Sequence, residues 1–359
     1  MVVLGSTGSI GVNVLNIARD FNLEIEVLTA GSNIDLLNSQ IKEFKPKIVV
    51  VGDKESIPKV KHDKVLYAQE GILEAINLSK SDLVVNSLVG FLGLKPTMEA
   101  IKCGKKVALA NKETLVVAGK FVDISKISPI DSEHFAVWYL LGKRDIRKII
   151  ITASGGPFRD TPIEEIKNKR VQDALNHPNW SMGKKISIDS ATMTNKLFEL
   201  LEAKWFFDID SLDALIERKS IIHALVEFVD GSTTAHFAGS DMKLPIAYAI
   251  LGEDIHKKIL PNVNLLDISS ISFDKIDHKR YPIWTIKDKV LSNPDSGVVI
   301  NAANEVAVER FLSGEIGFLD ISDITLQAFY RYENISLNSF DEIFEVDKEV
   351  RKFAKSLKK

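Results

Sequence analysis

The chain opens on an apolar run, MVVL, that passes directly into the glycine loop GSTGSIG at residues 5–11 and then into a helical period. This junction constrains the fold more than any other stretch, because it sets the N–H groups of a helix start at the end of a buried strand, where they face an anion. Gly5 permits the tight turn, Gly8 lets the backbone approach a phosphate, and Gly11 allows close helix–strand packing. The spacing is G-x-x-G-x-x-G, and its place in a strand–loop–helix unit makes it a dinucleotide site rather than a glycine turn with no ligand.

The next 120 residues support that setting. IEVLTAG, KIVVVGD, DLVVNSLVG, KKVALANKE and FVDISKISPID read as buried parallel strands, and GVNVLNIARDF, NIDLLNSQIKEF and KPTMEAIKCGK carry helical spacing between them. The alternation predicts an α/β fold whose N-terminal domain, 1–130, is a doubly wound, Rossmann-like sheet. Beyond it the texture changes. RKIIITASGG is a strand ending in glycines, and a polar stretch then leads to one long amphipathic helix through SATMTNKLFELLEAKWFF. SIIHALVEFVDGSTTAHFAG reads as a hairpin about Asp230-Gly231. These imply a central α+β domain, 131–254, with an antiparallel or mixed sheet. A connector occupies 255–285, and a small helical C-terminal domain spans 286–359, its basic end, RKFAKSLKK, reading as a solvated tail.

Composition removes several function classes. A formal charge of −3 gives no electrostatic footprint for nucleic acid. No run approaches the roughly 18 apolar residues of a membrane span, and the N-terminus leaves no room for a targeting segment, so a cytoplasmic enzyme is expected. The single cysteine, Cys103, excludes an internal disulfide and a cysteine-based zinc site; near a helix end it reads as a quiet, buried or half-buried thiol.

The end of the second strand selects the dinucleotide. An NAD site places Asp or Glu there for the ribose 2′-hydroxyl, whereas this chain has Thr29-Ala30-Gly31-Ser32-Asn33. A 2′-phosphate would meet no repulsion and would take hydrogen bonds from Ser32 and Asn33, so NADP is favoured.

PIDSEH places Asp131 and Glu133 on either side of Ser132, just past a strand, at the edge where α/β sheets bind ligands. Taken locally, D-S-E is also a fair helix start. A remote helix adds a polar stripe in apolar surroundings: Asn195, Lys196 and Glu199 at i,i+4 and i,i+3 spacing. Such a stripe either faces solvent or lines a cavity. Three carboxylates from two segments would suit Mg²⁺ or Mn²⁺, and Ser154, Ser190, Asn195 and Lys196 would suit a phosphate or sugar hydroxyls. HPNWSMG, at 177–183, reads as a lid that would lay His177 and Trp180 over a substrate, or as a packed loop whose Trp fills a hole. His134, His223 and His236 read as satisfied core histidines.

GSTGSIG, LANKE (109–113), PIDSEH, SGGPFRD (154–160), HPNWSMGKKISIDSATMTNK and NAANEVAV (301–308) together resemble the 1-deoxy-D-xylulose 5-phosphate reductoisomerase family, in order along essentially the whole chain. The resemblance implies rearrangement of 1-deoxy-D-xylulose 5-phosphate, by retro-aldol cleavage and recombination, and NADPH reduction to 2-C-methyl-D-erythritol 4-phosphate in the non-mevalonate isoprenoid pathway. It implies a divalent cation, Mg²⁺ or Mn²⁺ with Co²⁺ as an alternative, and a homodimer. Carried over, the metal ligands are Asp131, Glu133 and Glu199. Lys112, Ser132, Glu133 and Asn195 meet the substrate's hydroxyl and carbonyl region. Ser154, Ser190, Asn195 and Lys196 hold its phosphate under His177, and Trp180 covers it. Lys112, Glu133 and His177 are the catalytic candidates. NADPH contacts fall on Thr7, Gly8, Ser9, Ile10, Gly31, Ser32, Asn33, Asn111, Glu113 and Gly183. Two departures stand out: Ser32 sits where Lys or Arg is frequent in the family, and Leu-Phe-Glu follows Lys196 where Gly-Leu-Glu is common. An ordinary metal-free NADP dehydrogenase and a non-catalytic NADP-binding sensor are the competing readings; neither gives the acidic triad a task.

Overall fold

The structure is a computed structural model that describes residues 1–142, 144–180 and 182–358. The chain divides into two compact units. The first joins Met1–Thr114, Val122–Phe135 and Asp241–Leu260; the second joins Leu115–Phe121, Ala136–Ser240 and the chain from Pro261 onward.

The first unit is built on β1 (Val2–Leu4), β2 (Val27–Ala30), β3 (Ile48–Val51), β4 (Val65–Tyr67), β5 (Leu83–Asn86), β6 (Lys106–Leu109) and β7 (Ile127–Pro129). They pair in parallel in the order β4-β3-β2-β1-β5-β6-β7. Strands β1, β2 and β3 are buried throughout, which is why they read as unbroken apolar runs. β4 and the helix Ala68–Leu78 went unseen in the sequence. β4 is an edge strand, half-buried to exposed, and carries too little apolar signal to stand out. KKVALANKE and FVDISKISPID form strand only over β6 and β7, and turns and short helices take up the rest.

The strand order reverses about β1, between β2 and β5, and such a switch point opens a crevice at the strands' carboxyl ends. The Ser87 amide donates to Leu4 O at 3.0 Å and closes the sheet there. Helix Lys243–Leu251, from a stretch expected in the central domain, packs on helix Ser9–Asp20 and buries Ile246 and Ala247 in this unit's core.

The second unit carries β8 (Ile146–Ala153), β9 (Leu212–Ile216), β10 (Ile222–Phe228) and β11 (Thr233–Phe237) in the order β11-β10-β8-β9. β8 and β9 are parallel and β10 is antiparallel to β8 and β11, so the sheet is mixed. The expected single helix from Ser190 is two. Lys184–Thr192 ends at Met193, whose left-handed backbone (φ 70°) breaks the run, and Thr194–Phe207 begins a new axis. A non-glycine residue takes that conformation rarely, and here Met193 is buried and its N–H returns to Ser190 O at 3.2 Å.

Helix Gly297–Leu312 is buried along most of its length between Phe318–Arg331 and Phe340–Ser356. The last of these absorbs most of the segment read as a tail: Arg351 bonds Asp347 at 2.7 Å and Glu305 at 2.6 Å. Lys359 lies outside the described residues. Cys103 is exposed rather than buried, with Sγ 3.3 Å from Asn77 Oδ1. Among the described residues, no helix is long and apolar enough to cross a membrane.

Candidate active site

In the first unit, Gly5 follows β1 with φ 81°, and a Cβ there would lie 2.9 Å from Ser87 O. A Cβ on Gly11 would lie 2.2 Å from Gly5 O, so only glycine lets the helix close on its own loop. Helix Ser9–Asp20 starts with no side-chain cap at Gly8; its first N–H groups therefore have no side-chain oxygen to bond, as a phosphate-binding start requires. Thr7, Gly8, Ser9 and Ile10 are exposed or half-buried on this loop. Thr29 ties it to β2: the Gly5 amide donates to Thr29 Oγ1 at 2.8 Å and the Ser6 amide to Thr29 O at 2.8 Å. The β2 end, Gly31, Ser32 and Asn33, is exposed. Asn33 Oδ1 accepts the Leu36 amide at 3.2 Å as a helix cap, which leaves its NH₂ group to donate outward. Ser32 and Asn33 line a cleft of about 780 Å³ with Asp35, Asp53, Glu55, Ser56 and Lys59.

Asn111 and Glu113 follow β6 and touch each other at 3.1 Å. Asn111 is buried, and its NH₂ donates to Leu88 O and Gly90 O at 2.9 and 2.8 Å. It therefore shapes the loop after β5. Next to it, Lys112 Nζ lies 3.3 Å from Asp131 Oδ2.

Asp131 is a helix cap as well as a site candidate. Its Oδ1 accepts the amides of Glu133 and His134 at 3.1 and 3.2 Å, at the start of helix Ser132–Leu140. The cap is Asp131, and Ser132 instead donates to Glu133 Oε2 at 2.6 Å. The helix-start reading of D-S-E holds: the cap employs one carboxylate oxygen of Asp131, and Lys112 faces the other. His134 is fully buried, with Nδ1 3.3 Å from Asp131 Oδ1.

In the second unit, Ser154, His177 and Ser190 converge. His177 Nε2 is 3.0 Å from Ser154 Oγ and 3.2 Å from Ser190 Oγ. Its Nδ1 accepts the amides of Asn179 and Trp180 at 3.2 and 3.0 Å, which fixes the proton on Nε2. Burial, reinforced by the charge of Arg159, pulls its pKa down to about 4, so the ring is a neutral donor at physiological pH. The cradle is tight: a Cβ on Gly156 would lie 2.7 Å from Ser190 O. Arg159 Nη1 donates to Ser154 O at 2.7 Å and fastens the strand end. Tyr281, from the segment read as a connector, is buried and donates to Gly155 O at 2.7 Å.

Short helices at Ile163–Ile166 and Val171–Leu175 occupy part of the polar stretch before HPNWSMG. Trp180 is half-buried with its ring edge-on to His223 at 6.2 Å. Gly183 caps helix Lys184–Thr192. Ser181 lies outside the described residues.

The stripe on helix Thr194–Phe207 does not face solvent. Lys196 and Glu199 are buried and paired with each other, and Asn195 Nδ2 donates to Glu199 Oε1. A charged group is tolerated at that depth only with such partners.

Ser154, His177, Trp180, Gly183, Ser190, Asn195, Lys196 and Glu199 thus belong to the second unit, and the remaining site residues to the first. Sequence reasoning missed four supports. Lys59 joins Ser32 and Asn33 across many residues, Arg159 and Tyr281 bind main-chain carbonyls, and Asn304 reaches Asp189. None carries a local spacing signal, although Arg159 lies in SGGPFRD and Asn304 in NAANEVAV.

Comparison with known proteins points one way. Residues 1–119, 127–207 and 237–353 match three family models, described as 1-deoxy-D-xylulose 5-phosphate reductoisomerase, its C-terminal domain, and DXP reductoisomerase C-terminal domain. A 1-deoxy-D-xylulose 5-phosphate reductoisomerase of Nautilia profundicola is 58% identical over 364 residues, covering 99% of each chain. One of Wolinella succinogenes is 52% identical, covering 99% of this chain and 100% of the relative. Among solved structures, a DOX-P reductoisomerase in complex with NADPH, fosmidomycin and magnesium superposes with a TM-score of 0.93 at 34% identity, covering 99% of this chain and 97% of that one. The Zymomonas mobilis enzyme in complex with NADPH gives 0.88 at 34% identity, covering 99% of each chain.

Proposed function

We propose that this chain, which belongs to the 1-deoxy-D-xylulose 5-phosphate reductoisomerase family, performs that family's reaction with the residues of the two units just described. It is an NADPH-dependent, magnesium-dependent enzyme that converts 1-deoxy-D-xylulose 5-phosphate to 2-C-methyl-D-erythritol 4-phosphate in isoprenoid synthesis. The observation that carries the residue assignment is the neutral His177, whose Nε2–H lies within hydrogen-bond distance of two serine hydroxyls. Three uncharged donors on one point suit a phosphate better than a metal or an apolar group.

On this reading Ser154, Ser190 and His177 donate to the substrate phosphate, and Lys196, which also pairs with Glu199, supplies a positive charge to it. Asp131, Glu133 and Glu199 each offer a carboxylate oxygen, the all-oxygen donor set that a hard divalent cation takes. The cation supplies Lewis-acid polarisation of the substrate's adjacent oxygens, and NADPH supplies the hydride. Lys112, held beside Asp131, donates to the substrate's carbonyl end, while Ser132 and Asn195 orient its hydroxyls. Glu133 accepts a hydroxyl proton during the retro-aldol rearrangement. Trp180 covers the substrate. The glycine loop and the Asn111–Glu113 turn receive the dinucleotide, with Ser32 and Asn33 at its 2′-phosphate and Gly183 at its other end.

We place the enzyme in the cytoplasm as a homodimer, as the family resemblance suggests; size-exclusion chromatography with light scattering tests the dimer. The test of the activity is NADPH oxidation with 1-deoxy-D-xylulose 5-phosphate and Mg²⁺. Turnover that EDTA stops is expected, and no turnover with metal present would sink the reading.

A further inference from the structure

The NAANEVAV run has no task in the reaction so far. On helix Gly297–Leu312, Asn304 is fully buried, and its Nδ2 donates to Asp189 Oδ1 at 2.7 Å across 115 residues of chain. A carboxylate only accepts, so the amide must turn its NH₂ group to it. Asp189 is itself 1% exposed, and Lys185 Nζ lies 2.7 Å from its second oxygen. Asp189 immediately precedes Ser190, whose Oγ faces His177 Nε2 at 3.2 Å. On the other side, the Ser190 carbonyl packs against Gly156 with no room for a methyl group. Helix Lys184–Thr192 is therefore gripped at one turn from both sides: by a buried hydrogen bond from Asn304, and by backbone contact with the loop that carries Ser154.

We propose that Asn304 is a positioning residue for the substrate phosphate. By holding Asp189 it fixes the helix turn that aims Ser190 Oγ at the point served by His177 and Ser154. A buried carboxylate deprived of one of its donors is costly, and the helix relieves that cost by rotating or shifting toward other donors. Rotation moves Ser190 directly, because it is the next residue. The proposal rests on the reading that Ser190 binds phosphate.

A double-mutant cycle separates the two. Asn304→Ser, Ser190→Ala and the pair are compared for KM and kcat with 1-deoxy-D-xylulose 5-phosphate, and for NADPH affinity by fluorescence titration. Each single variant should raise KM about tenfold, with kcat within about threefold and NADPH affinity unchanged. The pair should be no worse than Ser190→Ala alone, because Asn304 acts through Ser190. Losses that multiply toward a hundredfold, or an unchanged KM in Asn304→Ser, would overturn the positioning role and leave the phosphate assignment standing. An unchanged KM in Ser190→Ala would overturn the phosphate assignment and the proposal with it. Should Asn304→Ser be recovered only unfolded, Asn304→Leu, which removes the donor and keeps the side-chain volume, takes its place in the same cycle with the same outcomes.

Discussion

His177 Nε2 lies 3.0 Å from Ser154 Oγ while its Nδ1 accepts the Trp180 amide, so the HPNWSMG segment and the end of β8 share one imidazole. Replacing His177 by Ala removes the donor proposed for the substrate phosphate, worth about 1.5–3 kcal/mol. KM for 1-deoxy-D-xylulose 5-phosphate should rise roughly 10- to 100-fold, with NADPH affinity unchanged. Steady-state kinetics beside NADPH titration checks this, and a KM that does not move would remove His177 from the phosphate site.

Stability should fall on the acid side in two stages. His177 and His236 are both held down at about 4, each first by burial; Arg159 adds to the first and His223 to the second. Between the unfolded value near 6.5 and the folded value near 4, the unfolded chain binds more protons, so stability drops as pH falls through that window. Glu26 is held at about 2 although burial opposes this, because Ser79, Lys47 and the Ser81 amide bond its carboxylate. Its contribution is present above about 4.5 and is lost as pH falls toward 2. Denaturant midpoints across pH should show both limbs, and His236→Gln should flatten the upper one. Equal slopes in the two proteins would contradict the assignment.

Glu199→Gln keeps the shape of the buried side chain and removes its charge. Turnover with Mg²⁺ should fall by at least about a hundredfold, with NADPH affinity within about twofold of the parent. Normal turnover in this variant would exclude Glu199 from the ligand set. EDTA should stop the parent enzyme, and added Mg²⁺ should restore it.

The cleft lined by Ser32 and Asn33 contains Lys59 but also Asp35, Asp53 and Glu55. Adding a cation with Ser32→Arg should tighten NADPH binding by roughly fivefold, the worth of an exposed ion pair of about 1 kcal/mol. NADH binding should not change, and the gain should shrink in high salt. An equal effect on both dinucleotides would mean that the 2′-phosphate lies elsewhere.

Two glycines of the first unit should respond differently to a methyl group. Gly11→Ala forces a Cβ to 2.2 Å from Gly5 O and should cost about 1–3 kcal/mol in stability. Gly31→Ala meets nothing within 4 Å and should stay within about 0.5 kcal/mol. Chemical denaturation of the two variants decides the matter; equal losses would contradict the packing of the loop.

Much of the fold was legible because its signals are local. Strands buried on both faces are continuous apolar runs, and GSTGSIG announces its turn within seven consecutive residues. β4 was missed because an edge strand is only partly buried, and β9 because its five residues alternate buried and half-buried without flanking turn signals strong enough to isolate it. The break at Met193 was invisible for a different reason. A methionine gives no warning of a left-handed backbone, which tertiary packing imposes.

The sequence by itself determined the parallel sheet, the glycine loop at its switch point, the hairpin and the residue types of the site, because periodicity and short motifs express backbone geometry within a few residues. Only the tertiary structure decided the rest. It made Asp131 the cap, buried the Lys196–Glu199 stripe, set the His177 proton on Nε2, and joined Asn304 to Asp189. Those outcomes depend on which distant groups share a desolvated volume. There each buried donor or acceptor must find its partner across the fold, and no spacing along the chain records the match.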